Sequence, residues 1–313
     1  MDRLNGSSEA WEALGFEGAP RRVVSLVPSV TESLFDLGVG ERLVGITDFC
    51  LYPANRVAAL PRVGGPKTPD LNLIHALQPD LIIASREENR KEDVDALRAA
   101  GQKVWVTFPC TVRAALDMLW SMIQLFGVPQ MGPRLSALET GIEWADLAAA
   151  NMLPVKVFCP IWRDPPIGLP RWWMTFNRDT YTHDLLRLCG GENVFADRDR
   201  RYPLEADLAD AAEVAEVGQV QPEPPGDRDT RYPRVGLAEV AARAPEIILL
   251  PSEPFAFTEA DGAVFDACPD LPAVKNKRIY RVDGSLLTWP GIRLAKALAE
   301  LPSLLQTGLT ENS

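Results

Sequence analysis

A chain of 313 residues, 46% hydrophobic and 24% charged, has the length of about two ordinary domains. Its net charge of −11 disfavours nucleic acid as a general partner, because neutralising phosphates needs clustered Lys and Arg. No apolar run approaches the roughly 18–20 residues of a membrane span, and the five scattered cysteines lack C-x-x-C spacing, which argues against a disulfide framework or zinc ribbon.

Residues 1–20 form a polar leader segment without a basic stretch followed by an apolar one. With the scattered thiols, this makes a cytoplasmic location the expectation for the chain as sequenced. A periplasmic or cell-surface location is the alternative if a leader has been removed. Arg22–Leu26 then reads as a buried strand, followed by a helix in VPSVTESLFDLG that Ser29 or Thr31 caps, with Glu32 closing a capping box from Ser29. LVGIT (43–47) is a strand, LNLIHALQ a helix, DLIIAS (80–85) a strand, Glu92–Ala100 a helix stopped by Gly101, and KVWVTF (103–108) a strand. Alternating strands and helices with nearly continuous apolar strands predict an α/β unit with a mostly parallel sheet.

From Arg134 to Met152 the pattern predicts one helix, with Leu135, Leu138, Ile142 and Ala145 on one face. VKVFCPI (155–161) opens a second alternating region. The two regions share motifs: LFDLGVGERLV (34–44) matches LLRLCGGENVF (185–195), and IHALQPDLIIAS (74–85) matches VAARAPEIILLPS (240–252). The second region has extra residues between its motifs, and the acidic, Pro-rich stretch 205–229 reads as a surface insertion; RYP flanks it at 201–203 and 231–233. The expected architecture is two similar α/β lobes with mostly parallel sheets, joined by one long rigid helix, with a ligand cleft between the lobes. The boundaries are a lobe at 21–128, the connecting helix at 129–153, a lobe at 154–305 and a tail at 306–313.

RVVSLVPSVTESLFDLGVGERLVGITDFCLYP and LNLIHALQPDLIIAS, with LLRLCGGENVFAD and RYPRVGLAEVAARAPEIILL, resemble the helical-backbone (class III) periplasmic substrate-binding proteins, most of all their vitamin B12-binding members. The resemblance spans about residues 21–305. It implies a non-catalytic protein that binds cobalamin, another corrinoid or a related metal chelate and presents it to an ABC importer. It further implies an acidic permease-docking residue in each lobe. Those positions are Ile74 and Ala238 here, with Glu239 one residue away, about 100° round a helix. An ABC permease is therefore a possible partner whose docking acids are absent. A cytosolic enzyme or cofactor-handling protein that reuses the fold is the alternative function, and a ferric siderophore- or haem-binding importer component is another.

Candidate ligand-binding residues lie where strands end. Trp162, Trp172 and Trp173, in PIWRDPPIGLPRWWMTF, offer faces for a flat apolar ligand or close the lobe's core; adjacent Trp172 and Trp173 point opposite ways in an extended segment. Pro28 and Ser29 begin the first helix, as ligand contacts or as an ordinary cap. Cys50 and Tyr52 follow LVGIT. Lys67 stands near where the B12-binding members place an aromatic. Arg86 pairs an anionic group or is simply exposed. Glu253, Phe255 and Phe257 end the strand of the second lobe, and Trp289 is a rim or core residue near the C-terminus. No G-x-S-x-G, H-E-x-x-H or P-loop motif occurs, so no catalytic residue is assigned. With only His75 and His183, an imidazole zinc site is excluded, and no metal ligand or required cofactor is assigned. The expected partner is a small-molecule metal chelate, with no nucleic acid, and the expected state is a monomer.

Overall fold

Val23–Ser25 (β1), Leu43–Ile46 (β2), Gly64–Gly65 (β3), Thr68–Pro69 (β4), Leu81–Ser85 (β5) and Val104–Thr107 (β6) are the strands of the first part of the chain in a computed structural model, which describes residues 15–208 and 222–306. Residues 1–14 of the expected leader, 209–221 of the acidic insertion and 307–313 of the tail lie outside the described residues. The chain divides into two compact units. One runs to Thr140 and includes Trp289–Ala295; the other is Gly141–Thr288 with the chain from Lys296. The division thus falls inside the long helix, found at Gly132–Ala150, rather than at its ends.

In the first unit β2, β1, β5 and β6 form a four-stranded sheet in that order, every neighbour parallel. Continuous apolar runs are what a sheet covered on both faces requires, and Val23, Val24, Ile82 and Ile83 are fully buried. Strands β3 and β4 make a small antiparallel ribbon. The helix Pro28–Asp36 departs from the expected capping. Its N-cap is Val27 with no side-chain bond, because Pro28 occupies the first turn, where its fixed φ suits the helix and its missing N–H costs nothing. Thr31 instead donates its hydroxyl to Val27 O (3.1 Å) and Ser25 Oγ (2.9 Å), and Glu32 pairs with Arg293 (2.5 Å) rather than closing a box. The helix Val112–Phe126 was not anticipated. Ten of its fifteen residues are buried, and Arg113, Asp117, Ser121 and Gln124, spaced four, four and three apart, form its narrow polar face. Gly127, at φ 64°, ends it in the left-handed region that glycine enters without penalty.

In the second unit, Val155–Phe158 (β7), Trp162–Asp164 (β8), Trp172–Met174 (β9), Gly191–Asn193 (β10), Arg234–Val235 (β11), Ile247–Pro251 (β12) and Ile279–Val282 (β13) form two sheets. The order β10-β7-β12-β13, all parallel, repeats that of the first unit. The internal repeat is therefore topological, and its Pro-acid signature has a physical basis. Asp80 accepts the backbone N–H groups of Arg21 and Arg22 (2.7 and 3.0 Å), and Glu246 accepts that of Lys156 (2.9 Å), so each carboxylate secures the start of the neighbouring strand. The residues before the two prolines, Gln78 and Ala244, share φ 48°. The smaller sheet, β11-β9-β8, is antiparallel.

Candidate functional site

Several candidate residues of both units lie beyond the C-terminal ends of parallel strands, where open α/β sheets bind ligands. In the first unit the loop after β2 exposes Phe49, Leu51 and Tyr52, with Tyr52 44% exposed. Trp289 meets Tyr52 edge-on, ring centroids 6.2 Å apart at 68°. The Arg293 guanidinium lies 4.4 Å from the Tyr52 ring and 4.8 Å from that of Trp289, and Glu32 anchors it. Cation–π contact and ion pair together hold both rings in place. Ser33, one position on from Glu32, accepts the Ile292 N–H (3.2 Å), which ties 289–295 to the first helix. Contact with this unit is the reason Trp289, expected among the second lobe's residues, groups with the first.

In the second unit Trp162 is 43% exposed and meets Phe255 edge-to-face at 5.4 Å; Phe255 meets Phe257 at 4.8 Å. Ile167 and Leu169, in the loop joining β8 to β9, are also exposed. That loop is held from below by Arg163, whose guanidinium donates to Pro165 O (3.1 Å) and Gly168 O and pairs with Asp261. Asp261 also accepts the backbone N–H and the hydroxyl of Thr258, both at 2.7 Å. Burial alone would raise its carboxyl pKa. The Thr258 bonds and the Arg163 charge outweigh burial and hold it below the usual value. Glu253, half-buried after β12, passes so close to Gly284 that a Cβ there would lie 2.4 Å from Glu253 O; only glycine fits.

Other expected site residues lie elsewhere. Cys50 is fully buried, its thiol held by Thr31 and Thr47 at 3.1 Å and its pKa raised by burial, so it leaves the candidate list. Its sequence neighbours, not the thiol, face outward. Trp173, 1% exposed, stacks on Phe265 (5.2 Å, 21°) in the core and is likewise removed. Trp172 does point the other way, but Arg234 covers it at 4.3 Å, so it is buried too. Pro28 and Ser29 are buried; the Ser29 hydroxyl has no hydrogen-bond partner among the described residues. Lys67 donates to Glu87 O (2.9 Å), and exposed Arg86 lies over the Phe108 ring at 4.7 Å. Ile74 is 0% exposed, because its position on the helix Leu71–Ala76 faces the sheet, and a docking acid could not act there. Ala238 is exposed, and Glu239 is tied to Arg198 (3.0 Å). Arg293 and Arg163 were missed from the sequence. The signal for Arg293 was its place shortly after Trp289; for Arg163 there was none beyond adjacency to Trp162.

Among the described residues no group of three or more His, Cys, Asp or Glu is placed to hold a metal ion, and no helix is long and apolar enough to cross a membrane. The arrangement offers part-exposed aromatic rings and fixed cations.

Comparison with known proteins bears on this geometry. Residues 23–130 match the family model described as periplasmic binding protein. A vitamin B12-binding protein of Vibrio cholerae serotype O1 (strain ATCC 39541) is 23% identical over 288 residues, covering 91% of this chain and 89% of its own length. The crystal structure of a periplasmic vitamin B12-binding protein of Vibrio cholerae aligns at TM-score 0.71 and 22% identity, covering 93% of this chain and 99% of that one. A periplasmic heme-binding protein of Roseiflexus sp. RS-1, in apo form, aligns at TM-score 0.69 and 23% identity, with 93% and 99% covered. The fold is that of the periplasmic binding proteins, as the sequence resemblance implied.

Proposed function

We propose that this chain, which carries the periplasmic-binding-protein fold, is a non-catalytic binding protein for a large metal chelate of the corrinoid or haem class. One observation carries the reading: each unit presents aromatic side chains just beyond the C-terminal ends of its parallel strands, Tyr52 with Trp289 in one and Trp162 with Phe255 in the other. Flat, largely apolar macrocycles are what exposed, rigidly held ring faces select. The vitamin B12- and heme-binding relatives support both ligand types, and the two structural relatives, being periplasmic, support the periplasmic alternative for location. Permease docking is no part of the proposal. The exposed positions of helix Leu71–Ala76 are Asn72, His75 and Ala76, none acidic, and Glu239 is already engaged.

The test is a tryptophan-fluorescence titration with cobalamin, cobinamide, haemin and a ferric siderophore. The expected result is stoichiometric quenching by at least one, weakened about tenfold or more when Tyr52→Ala and Trp162→Ala are combined. No response to any of the four would sink the reading.

A further inference from the structure

Several arginines of the second unit stand in no ion pair among the described residues, and two of them, Arg200 and Arg234, lie on aromatic rings. Nearby, Arg171 pairs with Asp164, Arg198 with Asp207 and Glu239, Arg228 with Glu223 and Arg231 with Asp229. Arg200 and Arg234 have no carboxylate partner among the described residues. Each lies on a ring, Arg200 at 5.5 Å from Tyr202 and Arg234 at 4.3 Å from Trp172, and each has a buried Nε without a hydrogen-bond partner. The two sense each other. Burial first, then the charge of Arg200, lowers the Arg234 pKa, against the opposing pull of Asp207, Asp164 and Tyr202.

Both nearby carboxylates are taken. Asp207 accepts from Arg198 and from the backbone N–H groups of Arg201 and Arg234, each at 2.9 Å, while Asp164 holds Arg171. Placing two neighbouring cations partly out of water with no carboxylate paired to either among the described residues is costly in a folded protein. Ring stacking uses the flat face of a guanidinium and leaves its N–H edge, the part that grips a carboxylate or phosphate in a fork.

We propose that Arg200 and Arg234 form an oxyanion-binding subsite, flanked by Trp172 and Tyr202, that takes a carboxylate or phosphate group. Assigning that group to an acidic side arm of the bound chelate rests on the function proposed above; the subsite itself does not.

Two measurements test it. In the first, thermal unfolding is followed with inorganic phosphate or citrate against sodium chloride at matched ionic strength. Either anion raises the Tm of the native protein; the Arg200→Gln/Arg234→Gln double variant loses that rise, and Arg200→Lys/Arg234→Lys keeps part of it. No rise in the native protein, or an equal rise in the Gln variant, overturns the subsite. The second measurement compares ligands that differ in their anionic group: haemin against its dimethyl ester, and cobalamin against cobinamide, which lacks the phosphodiester. A native preference of about tenfold for the acidic member, absent from the Gln variant, supports the assignment to the chelate. If no chelate binds while the anion effect persists, the chelate function fails and the subsite stands. Chelate binding with neither acid preference nor anion effect does the reverse.

Discussion

In the first unit Tyr52 and Trp289 are arranged around a cation, Arg293, which Glu32 holds in turn. In the second, Trp162 rests on Phe255 and Phe255 on Phe257, which is buried in the core, and the charged pair Arg163–Asp261 supports the loop rather than the rings. The same strand order therefore carries two kinds of aromatic surface. One is electrostatically pinned and offers charge with its rings; the other is apolar and depends on a buried ion pair to keep its loop in place.

The strongest way to break this comparison is within the second unit, where two tryptophans of one antiparallel ribbon are assigned opposite roles. Trp173→Ala should lower unfolding stability in urea by about 3–5 kcal/mol, the range for removing a buried large aromatic. Trp162→Ala should change it by only about 0.5 kcal/mol, as surface positions do, while weakening ligand quenching. Equal destabilisation by both would remove the distinction between core and surface ring.

Arg163→Met leaves the Asp261 carboxylate buried without its partner and should cost about 3–5 kcal/mol. The pH dependence of the native protein sharpens the point. The folded-state pKa of Asp261 is depressed, so its stabilisation is present above the unfolded-state value of about 3.9 and is lost as pH falls through the folded value. Asp261→Asn should accordingly flatten the fall in Tm below pH about 4; an unchanged acid limb would count against the ion pair as the loop's support.

In the first unit the expected effect is on binding. Arg293→Gln frees both rings and should weaken chelate affinity by about tenfold, with a smaller loss of stability than Arg163→Met because its ion pair is less buried. The smallest effect is expected at Lys67→Ala, an exposed residue bonded to one carbonyl, which should alter Tm-derived stability by no more than about 0.5 kcal/mol.

The parallel strands were legible because a strand covered on both faces must be apolar throughout, as in DLIIAS and EIILLP. The internal repeat was legible for a related reason: Asp80 and Glu246 do the same capping work at the same place in both units. The helix Val112–Phe126 was equally legible, its polar stripe Arg113, Asp117, Ser121 and Gln124 set at helical spacing among apolar residues, but it went unread. Among the candidate residues, position after a strand does not separate a side chain that turns outward, such as Tyr52 or Trp162, from one that turns in. Cys50 and Tyr52 are two residues apart, and only the second is exposed.

What the sequence alone determined is the alternation of elements and the doubling of the α/β unit. These follow from short-range patterns of apolar and turn-forming residues. Only the tertiary structure decided which aromatic residues remain outside and which charges are matched. Trp172 and Trp173 alternate as strand residues must, yet both are buried, because the core covers one face of β9 and Arg234 covers the other. Burial and pairing depend on what arrives from distant parts of the chain, such as Arg293 on Tyr52 and Asp261 on Arg163.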